Sequence, residues 1–157
     1  MGYTRLAFAA AAIALPASPA AAQNVVPTPQ SISAALQAAG YKAEIGKDGT
    51  GDPMVTSSLS GTRFGTLFYG CTDHKACTNI QFSVSYDLPK GTSTDRMDAW
   101  NASHRFGRAY LDKEQDPVLA MDVDLDKGGL SKALFQENLD TWISLMTAFE
   151  KHIEWSK

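Results

Sequence analysis

The stretch that decides the fold is Arg63-Phe-Gly-Thr-Leu-Phe-Tyr-Gly-Cys71, which a five-residue connection joins to Cys77-Thr-Asn-Ile-Gln-Phe-Ser-Val-Ser85. Both halves alternate in polarity with the period of two that is typical of β-strands. With Cys71 opposite Cys77, one face of the hairpin is almost wholly apolar: Phe68 opposes Ile80, Thr66 opposes Phe82, and Phe64 opposes Val84. A slip of one residue would exchange the two faces. The cysteines and the hydrophobic pattern therefore predict the same register.

The two cysteines predict a structural disulfide at the end of this hairpin, on the opposite, more polar face. Two thiols this close usually pair in an oxidising compartment. As an alternative, Cys71, His74 and Cys77 could bind a metal, but no further Cys or His lies near them to complete a zinc site. A redox pair is the third interpretation, although the five intervening residues differ from the C-x-x-C spacing of thioredoxin-like proteins.

Residues 1–22 have the features of a cleavable signal peptide. An apolar run of ten residues follows Arg5 and ends at Pro16. A bilayer span needs roughly 20 apolar residues, so this run is too short to be a membrane anchor. Ala20-Ala21-Ala22 supplies small residues for a signal peptidase, and we expect cleavage between Ala22 and Gln23. The sequence thus predicts a periplasmic or secreted protein with no membrane anchor after cleavage.

Charge and length restrict the remaining possibilities. The chain has 14 basic and 17 acidic residues, a net charge of −3, and these charges are scattered along it. No basic stripe of the kind that binds nucleic acid is present. The length predicts one domain, 31–157, after a flexible lead-in at 23–30. No internal repeat is evident.

Outside the central hairpin, periodicity and capping residues predict three helices and further strands. The expected elements are a helix over Ile32–Ala39 capped by Ser31, strands over Tyr41–Ile45 and Met54–Leu59, a helix capped by Ser93 or Thr94, strands over Phe106–Asp112 and Val118–Leu125, and a helix from Ser131 to about Ile153. The predicted fold class is α+β, in the order α-β-β-β-β-α-β-β-α, with an antiparallel sheet of about six strands and helices packed on one face.

The sequence shows no catalytic signature. Its three histidines form no H-E-x-x-H motif, and no serine lies in a nucleophile elbow. Asp122, Asp124 and Asp126 resemble the start of a calcium loop, but Lys127 and Ala133 stand where an EF-hand needs Gly and Glu. These aspartates fit better as the solvated side of a strand. We expect a non-enzymatic protein with no catalytic residue, no metal site and no cofactor.

Two later stretches carry a family resemblance. The chain resembles the bacterial YbjN family in Trp100-Asn101, in Arg105-Phe106-Gly-Arg108-Ala109-Tyr110-Leu111-Asp112 and in Asp116-Pro117-Val118-Leu119. The earlier Gly51-Asp52-Pro53 resembles the same family. The resemblance implies a domain over the whole region after the leader, a label as a bacterial sensory-transduction regulator, and a fold like that of type III secretion chaperones. Such chaperones are small α+β proteins that dimerise and bind extended client segments, so a protein or peptide client and a homodimer are the implied partners.

Six residues are the candidate partner-binding positions: Arg63, Leu67, Tyr69, Arg105, Arg108 and Tyr110. The first three lie on the polar face of the hairpin, together with Gln81, and the others belong to a predicted Arg105–Tyr110 strand. An unpaired buried arginine is costly. Arg105 and Arg108 are therefore expected either to pair with nearby aspartates or to face a partner. A small-ligand or stress-sensing module is the competing interpretation.

Overall fold

The structure is a computed structural model that describes residues 24–156, so the predicted leader and its cleavage site at Ala22 and Gln23 lie outside the described residues. Its elements are α1 (Pro29–Ala38), β1 (Glu44–Lys47), β2 (Pro53–Leu59), β3 (Thr62–Tyr69), β4 (Asn79–Ser85), α2 (Thr94–Ser103), β5 (Arg108–Leu111), β6 (Pro117–Asp124) and α3 (Lys132–His152). The predicted α+β class and the predicted order of elements are confirmed. No helix among the described residues is long and apolar enough to cross a membrane.

All six strands form one antiparallel sheet in the order β1-β2-β3-β4-β6-β5. The predicted register of the central hairpin is confirmed, because Phe68 pairs with Ile80 and Thr66 pairs with Phe82. The apolar face of this hairpin is the inner face of the sheet, on which the helices pack. Buried residues of all three helices, including Leu36, Trp100 and Trp142, belong to the same core cluster as the inner-face strand residues.

Helix α3 supplies the largest part of the core, as its hydrophobic stripe predicts. Its inward positions are at most 3% exposed: Phe135, Leu139, Trp142, Met146, Phe149 and the adjoining Ile153. The Trp142 ring stacks on Phe82 with centroids 5.8 Å apart and meets Phe64 edge-on at 6.1 Å. Burying one large apolar side chain contributes roughly 1.5–3 kcal/mol to the free energy of unfolding. The burial of these residues therefore holds α3 against the inner face of the sheet.

The hairpins at the two ends of the sheet share one turn design. In each turn the first aspartate donates its backbone N–H to the carbonyl of the second, from Asp48 to Asp52 and from Asp112 to Asp116, both at 2.9 Å. The Oδ1 atom of each first aspartate accepts the backbone N–H of the second. A proline follows each turn, and a helix of ten residues precedes each hairpin. The structure therefore contains a repeated helix–hairpin unit, one at each end of the sheet.

The segment expected to be a flexible lead-in is attached to the domain. Val25 exchanges two backbone hydrogen bonds with Leu130, at 2.8 and 3.0 Å, and Val25 is only 4% exposed. The side chain of Thr28, not that of Ser31, caps α1, which consequently begins before the predicted boundary of the domain. Gly129 lies so close that a Cβ atom there would collide with the Val25 carbonyl oxygen. The segment from Asn24 to Thr28 is therefore part of the folded domain.

A disulfide joins Cys71 and Cys77 just beyond the last β3–β4 pair, with Cα atoms 3.8 Å apart. Cys77 is only 7% exposed and belongs to the core, which corrects the prediction that the disulfide lies on the outer face. Gly70 explains the difference. Its φ of +64° ends the alternation of the strand before the cysteine. A side chain at Gly70 would also collide with the Thr78 hydroxyl.

Candidate partner-binding face

The outer face of the sheet is the surface opposite to the helices. A row of short residues crosses it from β2 to β6, because Thr56, Gly65, Ser83 and Ala120 are aligned in register. We call this row the trough. Longer side chains flank it on one side, whereas on the other side Arg63 and Val118 alternate with Ser58 and Ser85, and Arg108 of β5 lies at its end.

Five of the predicted partner-binding residues lie around this trough. Leu67 follows it on one side and Arg63 on the other, while Arg108 pairs in register with Ala120 at its end. Tyr69 is 45% exposed and Tyr110 is 36% exposed, so both rings offer aromatic surface on the outer face. Gln81, in contrast, is only 5% exposed and donates from Nε2 to Asp122 Oδ1 at 2.8 Å.

Arg105 lies outside the sheet. Strand β5 begins at Arg108, three residues later than the expected Arg105–Tyr110 strand. The backbone turns at Gly107, where φ is +73° and where a Cβ would press on Leu145. Arg105 and the neighbouring Phe106, which is 58% exposed, therefore project from the connection between α2 and β5 rather than from the trough.

Of the two alternatives expected for Arg105 and Arg108, the structure contradicts pairing with aspartates. Neither guanidinium lies in an ion pair among the described residues, whose ion pairs are His74 with Asp52, Arg96 with Glu154, and Lys127 with Asp126. Arg108 instead lies over the ring of Tyr110, with its Cζ atom 5.0 Å from the ring centroid. Such a cation–π contact leaves the guanidinium donors free. Arg108 thus remains able to bind an acceptor on a partner.

Several polar groups of the outer face are close enough to influence one another. The pKa of Tyr69 is raised above its usual value by partial burial, and then by the nearby Tyr110, Asp122 and Asp48, while Arg108 acts in the opposite direction. These residues come from the β1–β2 turn and from three different strands. Tyr69 accordingly remains a neutral hydrogen-bond donor throughout the physiological pH range. The end of the trough combines this donor with a cation, a carboxylate and two aromatic rings.

The aspartates that resemble a calcium loop face solvent, as expected for the polar side of a strand. Asp122 and Asp124 are exposed, whereas Met121, Val123 and Leu125 are at most 6% exposed. No group of three His, Cys, Asp or Glu side chains within 24–156 is arranged to hold a metal ion. His74, the other candidate ligand, forms a 2.7 Å contact from Nδ1 to Asp52 Oδ1, which ties the disulfide loop to the β1–β2 turn.

The Trp100-Asn101 pair has a role that the sequence did not reveal. Trp100 donates from Nε1 to the Gly107 carbonyl at 2.9 Å. Asn101 donates from Nδ2 to the Ala109 carbonyl at 2.9 Å and accepts the Ala109 N–H at 2.8 Å. The two side chains therefore cover the outer edge of β5 in place of a neighbouring strand. The sequence shows the eight-residue spacing from Asn101 to Ala109. Only the structure shows that the turn from α2 into β5 brings these two residues within hydrogen-bonding distance.

Comparison with known proteins yields one match. The model of the YbjN family, described as "Putative bacterial sensory transduction regulator", matches residues 28–155. No curated protein and no solved structure matches the chain. The matched range extends from the cap of α1 to just beyond α3 and includes the trough, both Asp-x-x-x-Asp-Pro turns and the Trp100-Asn101 pair. The protein belongs to the YbjN family.

Proposed function

We propose that the protein is an exported, non-enzymatic binding protein that recognises an extended segment of a protein partner in the cell envelope. The observation that carries the proposal is the outer face of the sheet, which no helix of residues 24–156 covers and on which Arg108, Tyr69 and Tyr110 are exposed. Tyrosine and arginine are the residue types most often found at the energetic centres of protein interfaces. The row of short side chains leaves room for the backbone of a segment, and the exposed residues near it offer donors and aromatic surface.

Two features support export. Among residues 24–156, Asn24 donates from Nδ2 to the Gly128 carbonyl at 3.0 Å, and this contact lies on the C-terminal side of the expected cleavage. A cleavage between Ala22 and Gln23 would therefore release a chain that keeps every contact of the described domain. The Cys71–Cys77 disulfide is also typical of proteins that fold in an oxidising compartment.

A likeness to type III secretion chaperones would add clients that bind in an extended conformation. The α+β order of the elements supports it, and the family resemblance implies it. Within this proposal the protein holds such a client on its sheet and performs no chemistry on it. A role as a sensory-transduction regulator is compatible with the same binding event, since a bound segment can report the state of the envelope.

One observation favours a second function, the sensing of a small ligand. A groove of about 970 Å³ lies between α1, the first turn of α3 and the N-terminal segment. Ala34, Ala38 and Phe135 form apolar walls, and Lys132 and Gln136 supply polar groups. Small-molecule sites combine these two kinds of lining. In this function the groove, rather than the outer face, would be the binding site.

The decisive experiment is affinity capture from periplasmic extract with purified protein, followed by affinity measurement on the partner found. We expect Tyr69→Ala and Arg108→Ala each to weaken binding at least tenfold, as loss of an interface centre does. Phe106→Ala is the matched control, because Phe106 is exposed but lies outside the trough. Mass spectrometry of the exported protein should find Gln23 at the N-terminus.

Recovery of no protein partner, together with a melting temperature that rises with a small metabolite, would contradict the proposal and favour the groove. Ala38→Trp, which fills that groove without touching the outer face, should then abolish the thermal shift. An intact leader on the exported protein would contradict the cleavage.

A further inference from the structure

The two edges of the sheet differ in what covers them. Backbone groups along an edge strand point alternately to the paired strand and away from it. Asp48 and Asp112 each bond to the facing strand of their own hairpin. Because the direction alternates along the strand, Ile45 and Ala109, three positions earlier, direct their N–H and C=O groups away from the paired strand. At β5 the amide of Asn101 satisfies both groups of Ala109. The β5 edge is thus closed to a further strand.

The β1 edge has no such cover. The residue at the position equivalent to Asn101, eight residues before Ile45, is Gln37, and it is exposed and makes no hydrogen bond to β1. Within residues 24–156, nothing outside the β1–β2 hairpin bonds to the backbone of Ile45 or Lys47. The Ile45 side chain is 51% exposed although it lies on the helix side of the sheet. The same repeated unit is therefore closed at one end of the molecule and open at the other.

We propose that β1 pairs antiparallel with β1 of a second copy of this chain, about a two-fold axis that passes beside Ile45. The two sheets then become one continuous sheet with all helices on the same side. A two-fold contact of this kind is self-complementary, because each residue meets the same surface that it presents. Unpaired edges invite such pairing, and natural proteins usually block them, as Asn101 does at β5.

Charge selects the register. Facing residues of an antiparallel pair point to the same side of the sheet, so the axis must pass beside a single residue of β1. An axis at Glu44 or at Lys47 sets like charges against each other, and an axis at Gly46 sets Glu44 against Asp48. Like charges in facing positions are destabilising. An axis at Ile45 sets Ile45 against Ile45 and Lys42 against Asp48, twice over by symmetry.

The local structure fits this register. Partial burial opposes ionisation of Asp48, but hydrogen bonds from Thr50, Asp52 and Gly51 outweigh it and hold the pKa of Asp48 below its usual value. Asp48 is therefore charged at neutral pH and available to Lys42 of the second copy. A hollow of about 500 Å³ beside the edge, lined by Gly40, Tyr41 and Ala43 among others, leaves space for the second copy's Lys47. Because the strand is short, we expect a weak dimer whose population depends on concentration.

The first test measures the molecular mass of the intact protein by sedimentation over a concentration series. We expect a reversible monomer–dimer equilibrium. Lys42→Glu replaces two favourable pairs with two unfavourable ones, so it should weaken dimerisation roughly tenfold. Ile45→Lys should abolish it by placing like charges at the axis. Phe106→Lys, the same kind of change at a 58%-exposed apolar residue far from β1, should leave it unchanged.

The second test fixes the register. Ile45→Cys places thiols on facing residues of a hydrogen-bonded pair, whose Cα atoms lie about 5.5 Å apart, within the range of a disulfide. We expect this variant to form a covalent dimer on mild oxidation. Lys47→Cys, two residues away from the axis, should not. A monomer at every concentration, a dimer that survives Ile45→Lys, or equal cross-linking by both cysteine variants would overturn the proposal.

Discussion

The amide of Asn101 and the backbone of Ala109 form a two-hydrogen-bond pair, with Nδ2 donating to the carbonyl at 2.9 Å and Oδ1 accepting the N–H at 2.8 Å. This geometry is what a neighbouring strand would supply. Ala109 is only 5% exposed, so water can replace these bonds only poorly. One side chain thus completes an edge of the sheet and fixes the angle at which α2 meets β5.

Asn101→Ala should lower the free energy of unfolding by about 2 kcal/mol, because it leaves a nearly buried donor and acceptor without partners. Urea denaturation measures the change. Asn138→Ala is the control: Asn138 also bonds to a carbonyl, that of Leu134, but on the exposed surface of α3. That variant should change stability by less than about 0.5 kcal/mol. Equal losses from the two variants would refute the edge-closing role.

Removal of the disulfide by the paired change Cys71→Ala and Cys77→Ala should cost about 2 kcal/mol, since the closed loop is short. Denaturant unfolding with and without a reductant checks this. The reductant should destabilise the native sequence and leave the double variant unaffected. Thiol labelling of the denatured native protein should find no free cysteine, and two labelled thiols would disprove the bond.

Gly129→Ala should destabilise the protein more than Gly128→Ala. Both glycines have positive φ, at +78° and +104°, which costs an L-residue roughly 1–2 kcal/mol. Only at Gly129 would the added Cβ also collide with the Val25 carbonyl, whereas Gly128 faces open space. Comparison of unfolding midpoints isolates the collision. Hydrogen exchange at the Val25 amide should accelerate only in Gly129→Ala.

Alkaline pH should destabilise the fold through two tyrosines whose pKa is raised in the folded state. The pKa of Tyr86, which is 1% exposed, is raised by burial and by the charge of Glu150, and that of Tyr69 is raised as well. Both groups hold their protons more tightly in the folded state. Their contribution to stability is therefore complete below the unfolded pKa of about 10 and is lost as pH rises through the folded pKa. Denaturant unfolding at increasing pH measures the loss, and Tyr86→Phe should reduce it. Phenolate absorbance that shows every tyrosine ionising near pH 10 would count against this prediction.

The sequence predicted the parts of the fold that depend on local pattern. The register of Phe68 against Ile80 follows from alternation, and the α3 stripe follows from helical spacing. It failed where a single residue interrupts a pattern, as Gly70 does before Cys71 and Gly107 does before Arg108. It also missed contacts between distant segments, such as Val25 with Leu130, because no local signal marks them. At the candidate site, alternation identified the outer-face residues, but the row of short residues emerges only from pairing across four strands.

The attachment of the N-terminus has a consequence for the order of events during synthesis. Asn24 and Gly128 are 104 positions apart, so most of the chain must be made before this contact can form. Until then the segment that contains Val25 lacks Leu130, its hydrogen-bonding partner. Docking of Val25 is therefore a late step of folding, and it closes the domain only after all six strands and α2 have been made.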